Sequence, residues 1–417
     1  MLRILCILSI LSLLRVHGQD CAIPFTLPLF GVQVETDVLY GVAPRYNGNM
    51  DSLRLDLFKP VGDGQTERPL VVLIHGGGFV NGHRSEMHQL CESLAGMGWA
   101  AATISYRLGF YGTGILDPPY AYDAAEFRRA TYRAMQDTKG AIRFLKERHE
   151  MDSTSMSSVF MVGFSAGGFA ALHAAYLDKA EEKPSSAGAI GDVQHFLEFH
   201  ARPDLGDVDG ELNQNGHDPT VMGVVSIFGG LLDTAYIESA GDPALYMYHQ
   251  SGDPVVGCGV QQPYWGIPFG PSGNYPWVHG SCSIDQHVQQ LGYPEGHYHF
   301  TLHQGIEHDI HDPPGVLLES LQWMRELFCG SSTHVQDRST PGKMMASPNP
   351  TSGTVRLSGM EQGMVMLELF DQQGQLMDAI EASGPDLEWD LTHVPAGTYL
   401  LRSSSDSGVR VTRLIVH

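Results

Sequence analysis

A serine flanked by glycines lies between a strand-like and a helix-like segment. Residues 163–167 are Gly-Phe-Ser-Ala-Gly, followed by Gly168; they come after the apolar run 159–162 and before the alanine-rich run 169–175. A serine is a strong nucleophile only where its hydroxyl is exposed and close to a base, and a sharp strand-to-helix turn exposes it. Small neighbours are what such a crowded turn permits. The pattern predicts that Ser165 is a nucleophile for acyl transfer.

A second glycine-rich segment supplies backbone donors. Residues 70–74 are Leu-Val-Val-Leu-Ile, which predicts a fully buried strand, and they run into His75, three glycines and Phe79. Successive glycines bring backbone N–H groups close to a ligand, as stabilisation of an oxyanion requires. We therefore expect this loop to face the oxygen that becomes negative when Ser165 attacks a carbonyl group.

These two motifs together resemble the α/β-hydrolase superfamily, and more narrowly its HGGG-type carboxylesterases. The resemblance covers roughly residues 32–328. It implies that the N–H groups of Gly77, Gly78 and Ala166 form the oxyanion hole. It also implies that His75 is a structural residue of the loop and not the catalytic base.

In this superfamily the acid follows the serine along the chain, and the base follows the acid. The strand-like run 244–249 leads into Gln-Ser-Gly-Asp-Pro-Val-Val, which looks like the acid loop of these esterases. Asp253 is therefore predicted to orient the base, because a carboxylate just past a strand end can reach an imidazole across the sheet. The alternative acid is Asp233, which follows two glycines, and Asp253 could instead merely cap a Gly-Asp-Pro turn.

The base is expected after the last core strand, which we place at 298–303. The segment 304–308, Gln-Gly-Ile-Glu-His, resembles the family's Gly-x-x-His loop, so His308 is the predicted base. His311, one helical turn away, is the alternative. The combination implies ester hydrolysis through an acyl-enzyme on Ser165.

Neither a metal ion nor a cofactor is predicted. His297, His299 and His303 share one face of an alternating strand, but no nearby cysteine completes a closed zinc site and a serine triad needs no metal. The acidic segment 204–215 lacks the closing glutamate of a calcium loop, so a solvated acidic loop is favoured over a calcium site.

Two aromatic-rich insertions, 109–130 and 257–282, are predicted to shape the acyl and alcohol pockets. Phe79, Tyr111 and Trp265 are the predicted substrate contacts. The alternative is that these loops pack small cores of their own.

Alternating strand and helix patterns predict an α/β fold with a doubly wound, mostly parallel sheet. Runs at 32–40 and 52–58 are expected to open the sheet as an antiparallel pair. A later helix, marked by apolar residues at helical spacing, is expected to end near His149.

The N-terminus and the cysteines both indicate export. Residues 1–18 combine a short basic start with an apolar core too short to span a bilayer, which predicts a signal peptide, and no other segment is apolar enough for a membrane span. Cys258 and Cys282 bracket the second insertion and are the predicted disulfide. The pairing of Cys21, Cys91 and Cys329 stays open, and their odd number leaves one thiol over.

The composition changes after residue 330. Residues 331–344 form a polar linker, and residues 345–417 contain short alternating strands with regular turns, which predicts a small β-sandwich after a catalytic domain at 19–330. The last segment closely resembles the C-terminal sorting domain of type IX secretion cargo in Bacteroidota. That resemblance implies passage through the periplasm, partnership with the type IX machinery, and a secreted or cell-surface location. The alternative is a carbohydrate-binding or adhesion module.

The net charge of −22 excludes a broad basic surface, so nucleic acid and anionic membranes are not expected partners. The predicted function is a secreted serine carboxylesterase acting on small esters or on ester-bearing polymers such as acetylated or feruloylated polysaccharide. The alternatives are a serine peptidase or amidase of the same fold, and a non-catalytic surface-binding protein.

Overall fold

The computed structural model describes residues 21–330 and 344–417, except residues 22, 24, 114–118, 196, 269–271, 360–363, 372–374 and 406–407. The predicted signal peptide at 1–18 and all but the last residue of the predicted linker at 331–344 lie outside this described part.

An eight-stranded sheet forms the larger unit. Its strands are Gly31–Pro44 (β1), Met50–Val61 (β2), Arg68–Ile74 (β3), Ala100–Ile104 (β4), Thr154–Phe164 (β5), Gly223–Ile227 (β6), Ala244–Gln250 (β7) and Tyr298–His303 (β8). The spatial order is β1-β2-β4-β3-β5-β6-β7-β8. β1 pairs with β2 and β2 with β4 in antiparallel fashion, and all the other pairs are parallel. The predicted antiparallel start and mostly parallel sheet are confirmed.

Helices cover both faces of this sheet. They are His88–Gly96 (α1), Ala124–Glu147 (α2), Ala166–Tyr176 (α3), Ser281–Leu291 (α4) and Pro313–Cys329 (α5). The core on one face includes residues of α1 and α5, and the core on the other includes residues of α2, α3 and α4. Residues 70–74 of strand β3 are therefore an unbroken apolar run, because both faces of the strand are buried there. Within the described part of the chain, no helix has the length and apolar character that crossing a membrane requires.

Shorter elements connect these strands and helices. The 3₁₀ and short α-helical turns are Arg84–Met87, His149–Asp152, Ala180–Glu182, Ser185–Ala187, Thr234–Tyr236 and Ser272–Asn274. The short strands are Gly112–Thr113, Tyr120–Ala121, Ile190–His195, Glu198–Arg202, Gly230–Leu231, Val260–Gln261 and Val278–Gly280.

The predicted insertion at 109–130 is wrong at its end, because residues 124–130 belong to helix α2. The helix begins at residue 124, after Asp123 caps it by accepting a hydrogen bond from the Glu126 N–H at 3.0 Å. Arg129 and Arg133 are only 3% and 1% exposed. The apolar periodicity fails over this first part of the helix because its charged residues are themselves buried.

The turn from β5 into α3 has a single residue, Ser165, with φ 53° and ψ −117°. A β-carbon on Gly163 would lie 2.1 Å from the carbonyl oxygen of Gly167. One on Gly167 would lie 2.1 Å from the carbonyl oxygen of Ile74 in β3. Real β-carbons do not approach oxygen atoms so closely, so this turn requires glycine at both positions.

The C-terminal unit is a small β-sandwich, as predicted. Its strands are Met345–Ser347 (β9), Thr354–Ser358 (β10), Met364–Phe370 (β11), Leu376–Ser383 (β12), Asp386–Asp390 (β13), Gly397–Ser405 (β14) and Gly408–Val416 (β15). β9, β10 and β13 form one antiparallel sheet, and β11, β12, β14 and β15 form the other. Both sheets contribute to one core, with Leu357 and Trp389 from the first and Leu367 and Leu401 from the second.

Among the described residues there are two disulfide bonds, and the predicted pair Cys258–Cys282 is one of them. The other joins Cys21 to Cys329 at the end of α5, across a sequence separation of 308 residues. Cys91 is a buried free thiol on α1. Burial raises the pKa of the Cys91 thiol, which makes a reactive thiolate unfavourable there.

Replacing Cys21 and Cys329 together by serine should lower the free energy of unfolding by roughly 2–5 kcal/mol, because their bond closes a very long loop in the unfolded chain. Guanidinium unfolding of the full chain without reductant, followed by tryptophan fluorescence, measures this change. The double serine variant of Cys258 and Cys282 is the comparison, since that bond closes a loop of only 24 residues. An unchanged midpoint for the Cys21 and Cys329 variant would contradict the expectation.

Replacing Gly167 by alanine should destroy the turn, because its β-carbon has backbone atoms of β3 in its way. We expect a loss of more than about 3 kcal/mol of stability, or no soluble protein, as for other severe steric clashes. The matched control is Gly273→Ala, since a β-carbon there meets no atom within 4 Å. A soluble Gly167→Ala protein with wild-type thermal stability would show that the turn is less crowded than described.

Candidate active site

Three side chains from separate elements meet at the carboxyl edge of the large sheet. Ser165 follows β5, Asp253 follows β7 and His308 follows β8. The hydroxyl of Ser165 lies 2.8 Å from Nε2 of His308, and Nδ1 of His308 lies 2.7 Å from Oδ2 of Asp253. In this arrangement the imidazole can take the serine proton at Nε2 while it donates its Nδ1–H to the carboxylate.

The carboxylate of Asp253 is completely buried and is held from three sides. Its Oδ1 accepts hydrogen bonds from the N–H groups of Val255 and Val256 at 2.8 and 3.0 Å. Burial by itself raises the pKa of Asp253, but the contacts with His249 and His308 outweigh it, and the pKa is lowered from its ordinary value. Asp253 is therefore a fixed negative charge that can hold one tautomer of His308.

His249, in β7, is a buried residue of the site that the sequence reasoning missed. Its Nε2 lies 2.8 Å from the carbonyl oxygen of Val256 and 3.5 Å from Oδ2 of Asp253. Its Nδ1 lies 2.9 Å from the hydroxyl of Ser281. The ring thus ties the acid loop to the start of α4. A histidine in an otherwise apolar strand, four residues before the acid, was the signal available in the sequence.

The glycine loop after β3 lies directly against the serine. A β-carbon on Gly76 would be 3.4 Å from the β-carbon of Ser165. Gly77 and Gly78 have φ values of 106° and 61°, which glycine adopts without strain. Among the described residues no acceptor binds the N–H of Gly77 or Gly78, so both donors are free for a ligand oxygen.

His75 is buried behind this loop. Its ring stacks on Tyr106 at 4.5 Å between ring centroids, and its Nδ1 lies 2.8 Å from the carbonyl oxygen of Gly76. Burial lowers the pKa of His75, which favours the neutral ring. These contacts suit the structural role that the sequence assigned to it.

The alternative base, His311, and the alternative acid, Asp233, make contacts with other residues. Nδ1 of His311 is 3.0 Å from the hydroxyl of Tyr248, and its ring stacks on His303 at 3.7 Å. Asp233 caps a 3₁₀ turn by accepting a hydrogen bond from the Ala235 N–H at 2.9 Å. Of the competing residues, His308 is the histidine that contacts Ser165, and Asp253 is the carboxylate that contacts His308.

An apolar pocket of about 20 Å³ opens beside Ser165. Its apolar walls are Phe79, Phe127, Phe169, Val255, Val256 and Tyr264. Phe79 was a predicted substrate contact, whereas Phe127 and Tyr264 were noted only as aromatic members of the two insertions and Phe169 was not predicted. Phe127 and Tyr264 lie in the two aromatic segments that the sequence indicated. The sequence thus located these segments but not the residues in them that face the pocket.

The other two predicted substrate contacts lie elsewhere. Trp265 donates its Nε1–H to the carbonyl oxygen of Asp253 at 2.8 Å, so it supports the acid loop from outside. Tyr111 stacks on His200 at 4.6 Å and lines a separate cavity. Tyr111 is not among the residues that line the pocket beside Ser165, so its assignment as a substrate contact there is corrected.

The two segments that were considered for metals make other contacts. His299 lies 3.1 Å from Glu319. In the acidic segment 204–215, Asp204 pairs with Lys183 at 2.6 Å and Asp209 with Lys139 at 3.3 Å. Among the residues that the structure describes, no three histidine, cysteine or acidic side chains are grouped as a metal site would need.

Comparison with known proteins finds two family matches in the chain. Residues 55–258 match the BD-FAE family, and residues 346–417 match the secretion system C-terminal sorting domain. A juvenile hormone esterase of Tribolium castaneum is 26% identical over 204 residues, which are 48% of this chain and 30% of that protein. The neuroligin-like protein glit-1 of Caenorhabditis elegans is 29% identical over 119 residues, which are 28% of this chain and 15% of that protein. The chain thus spans less than a third of either relative.

Solved structures of esterases are similar to this chain. The structure of Thermogutta terrifontis esterase 2 phosphoramylated by tabun has a TM-score of 0.45 at 15% identity, covering 74% of this chain and 97% of that one. A truncated carbohydrate esterase from gut microbiota has a TM-score of 0.42 at 15% identity, covering 74% of this chain and 98% of that one.

The order of the sheet, the single-residue turn at Ser165 and the glycine loop agree with the family match, and the β-sandwich agrees with the second match. The sorting domain also indicates that the protein is secreted or held at the cell surface. Residues 55–258 of this chain therefore belong to the BD-FAE family of α/β-hydrolases, and residues 346–417 form its C-terminal type IX secretion sorting domain.

Proposed function

We propose that this protein is a secreted serine carboxylesterase that hydrolyses esters through an acyl-enzyme on Ser165. The observation that carries the proposal is the continuous chain of hydrogen bonds from Ser165 through His308 to Asp253. Acyl transfer needs a serine hydroxyl that a substrate can reach, an imidazole next to it and a buried carboxylate behind the imidazole; here Ser165 is half-buried, beside a pocket.

In the acylation step, Nε2 of His308 takes the hydroxyl proton of Ser165 while Oγ attacks the carbonyl carbon of the ester. The negative oxygen that forms is bound by the N–H groups of Gly77, Gly78 and Ala166. Collapse of this intermediate breaks the bond to the alcohol oxygen, which leaves with the proton from His308. Asp253 stays ionised and stabilises the imidazolium.

In the deacylation step, water takes the place of the alcohol. His308 removes a proton from the water as its oxygen attacks the acyl carbon, and the same N–H donors bind the second negative oxygen. The ester bond to Ser165 then breaks, the carboxylic acid leaves, and Oγ regains its proton from His308. The net reaction is ester plus water to acid plus alcohol.

The size of the pocket supports short acyl groups. A volume of about 20 Å³ holds roughly one water-sized group, and the walls are apolar. The methyl of an acetyl ester fits such a space, whereas a feruloyl ring does not. Because the sorting domain directs the protein out of the cell, we propose acetylated extracellular polysaccharide or its fragments as the substrate class.

The same proposal assigns a role to each segment of the chain. Residues 1–18 direct export from the cytoplasm, residues 19–330 catalyse, residues 331–344 link, and residues 345–417 engage the type IX secretion machinery. The match to the sorting domain over residues 346–417 supports the last assignment.

Replacing Ser165 by alanine should reduce the turnover of p-nitrophenyl acetate by at least about 10⁴-fold, as the loss of a serine nucleophile does in other hydrolases. The control is Ser239→Ala, since Ser239 is exposed and lies outside the site. Equal rates for Ser165→Ala and wild type would refute the proposal.

A fluorophosphonate probe that leaves the wild type unlabelled would favour a non-catalytic surface-binding protein. Cleavage of a peptide panel in preference to esters would favour a peptidase or amidase.

The pocket also predicts how the rate depends on acyl length. In the wild type, kcat/KM should fall by at least about tenfold from acetyl to butyryl nitrophenyl esters, because extra methylenes do not fit without strain. Val256→Ala widens the pocket and should reduce this preference, since the hydrogen bonds of residue 256 are made by its backbone. Val260→Ala, at an exposed position of the same insertion, is the control. A wild-type preference for octanoyl esters would contradict the short pocket.

A further inference from the structure

A second cavity lies between α2, the turn at 45–49 and the segment 199–212. It encloses about 560 Å³ and shares no lining residue with the pocket beside Ser165. Arg107, Arg129 and Arg133 line it, and they are only 6%, 3% and 1% exposed. We name it the arginine cavity after these three residues.

Two of the three arginines are satisfied within the protein. Arg107 donates to the buried carboxylate of Asp137 at 2.8 Å. Arg129 donates to three backbone carbonyl oxygens at 2.6–3.0 Å, among them that of Pro203. The chain has 25 lysines and arginines against 47 acidic residues, so three buried arginines at one cavity are an unusual concentration of positive charge.

The third arginine is not satisfied. Nη2 of Arg133 donates to the carbonyl oxygen of Gly109 at 2.8 Å, and this is the one hydrogen bond that its guanidinium makes to a described residue. Its Nε is buried and has no partner among the described residues. Burial and the charge of Arg107 lower the pKa of Arg133 to about 9, and the nearby carboxylates of Glu126 and Asp137 oppose this shift only in part. A buried cation with unused donors is costly unless an anion pairs with it.

We propose that the arginine cavity binds a small organic carboxylate that carries a ring, with its carboxylate paired to Arg133. A guanidinium offers several donors in the plane that a carboxylate matches. A single negative charge fits better than a phosphate dianion, because Arg133 is the one of these three arginines with a donor that no described residue accepts, and because Asp204 and Glu211 lie at the exposed edge of the cavity.

The aromatic side chains that line the arginine cavity are the reason for proposing a ring in the ligand. Tyr46 and Tyr111 meet edge to face at 5.0 Å, and Tyr111 stacks on His200 at 4.6 Å. Phe199, 69% exposed, lines the cavity from the hairpin that precedes residue 203. A volume of this size suits a ligand of one or two rings. The carboxylate could come from a sugar acid of a polysaccharide or from a free aryl acid, and both present the same group to Arg133.

The test is calorimetric titration of the full chain with sodium galacturonate and with sodium benzoate, with glucose and inorganic phosphate as neutral and dianionic comparisons. We expect at least one carboxylate to bind, and Arg133→Met to weaken it at least about tenfold. Arg356→Met, a paired surface arginine of the β-sandwich, is the control and should bind as the wild type does. Ala201→Trp fills the cavity from its exposed strand and should also abolish binding, which keeps the test decisive if Arg133→Met does not fold.

This inference does not depend on the proposed esterase. Ser165→Ala should bind the carboxylate unchanged, and Arg133→Met should hydrolyse nitrophenyl acetate at the wild-type rate, because the two cavities share no residue. Binding of galacturonate alone assigns the cavity to sugar acids, and binding of benzoate alone assigns it to aryl acids. No binding of either, equal binding of glucose, tighter binding of phosphate, or unchanged binding in folded Arg133→Met or Ala201→Trp would each overturn the proposal.

Discussion

The backbone conformation of Ser165 is the constraint on which the rest of the site depends. A non-glycine residue at φ 53° and ψ −117° is strained by about 1–3 kcal/mol. The strain persists because the turn is clamped: the Ser165 N–H donates to the carbonyl oxygen of Ile227 in β6 at 2.9 Å, and Gly167 packs against the end of β3. The neighbouring strands on both sides thus hold the serine at the edge of the sheet with its hydroxyl outward.

The other groups are placed by the same sheet. β7 and β8 run parallel and in register next to β6, so the loops that follow them reach the serine from one side. The acid loop is fixed by its own hydrogen bonds to Asp253 and by the disulfide that starts at Cys258. The glycine loop after β3 reaches the serine from the other side. Strand order therefore converts residues far apart in the sequence into one site.

The parts of this site with strictly local causes could be predicted from the sequence. Gly163 is needed because of a clash with Gly167, only four residues away, and the loop after β3 needs glycines for its own backbone angles; Gly167 also has a distant cause, since its clash is with Ile74 of β3. Asp253 and His308 could be inferred because each follows a recognisable strand. His311 could be set aside only once its contact with Tyr248 was known.

The parts that could not be predicted depend on tertiary packing. The start of helix α2 could not be recognised in the sequence, because Arg129 and Arg133 are buried and charged residues are usually exposed. Whether Tyr111 or Tyr264 faces Ser165 depends on how two insertions fold over the sheet, which periodicity does not encode. The arginine cavity, too, is assembled from segments far apart in the chain, with residues 42–48 on one side and residues 199–212 on the other.

The central claim is that catalysis passes through an ester of Ser165. Peptide mapping by mass spectrometry, on protein quenched in acid during turnover of a slowly deacylated aryl ester, measures this most directly. We expect the acyl mass on the peptide that contains Ser165, at a stoichiometry approaching one per chain when deacylation is the slow step. Steady hydrolysis with no acylated peptide, or with the acyl group on another residue, would contradict the claim.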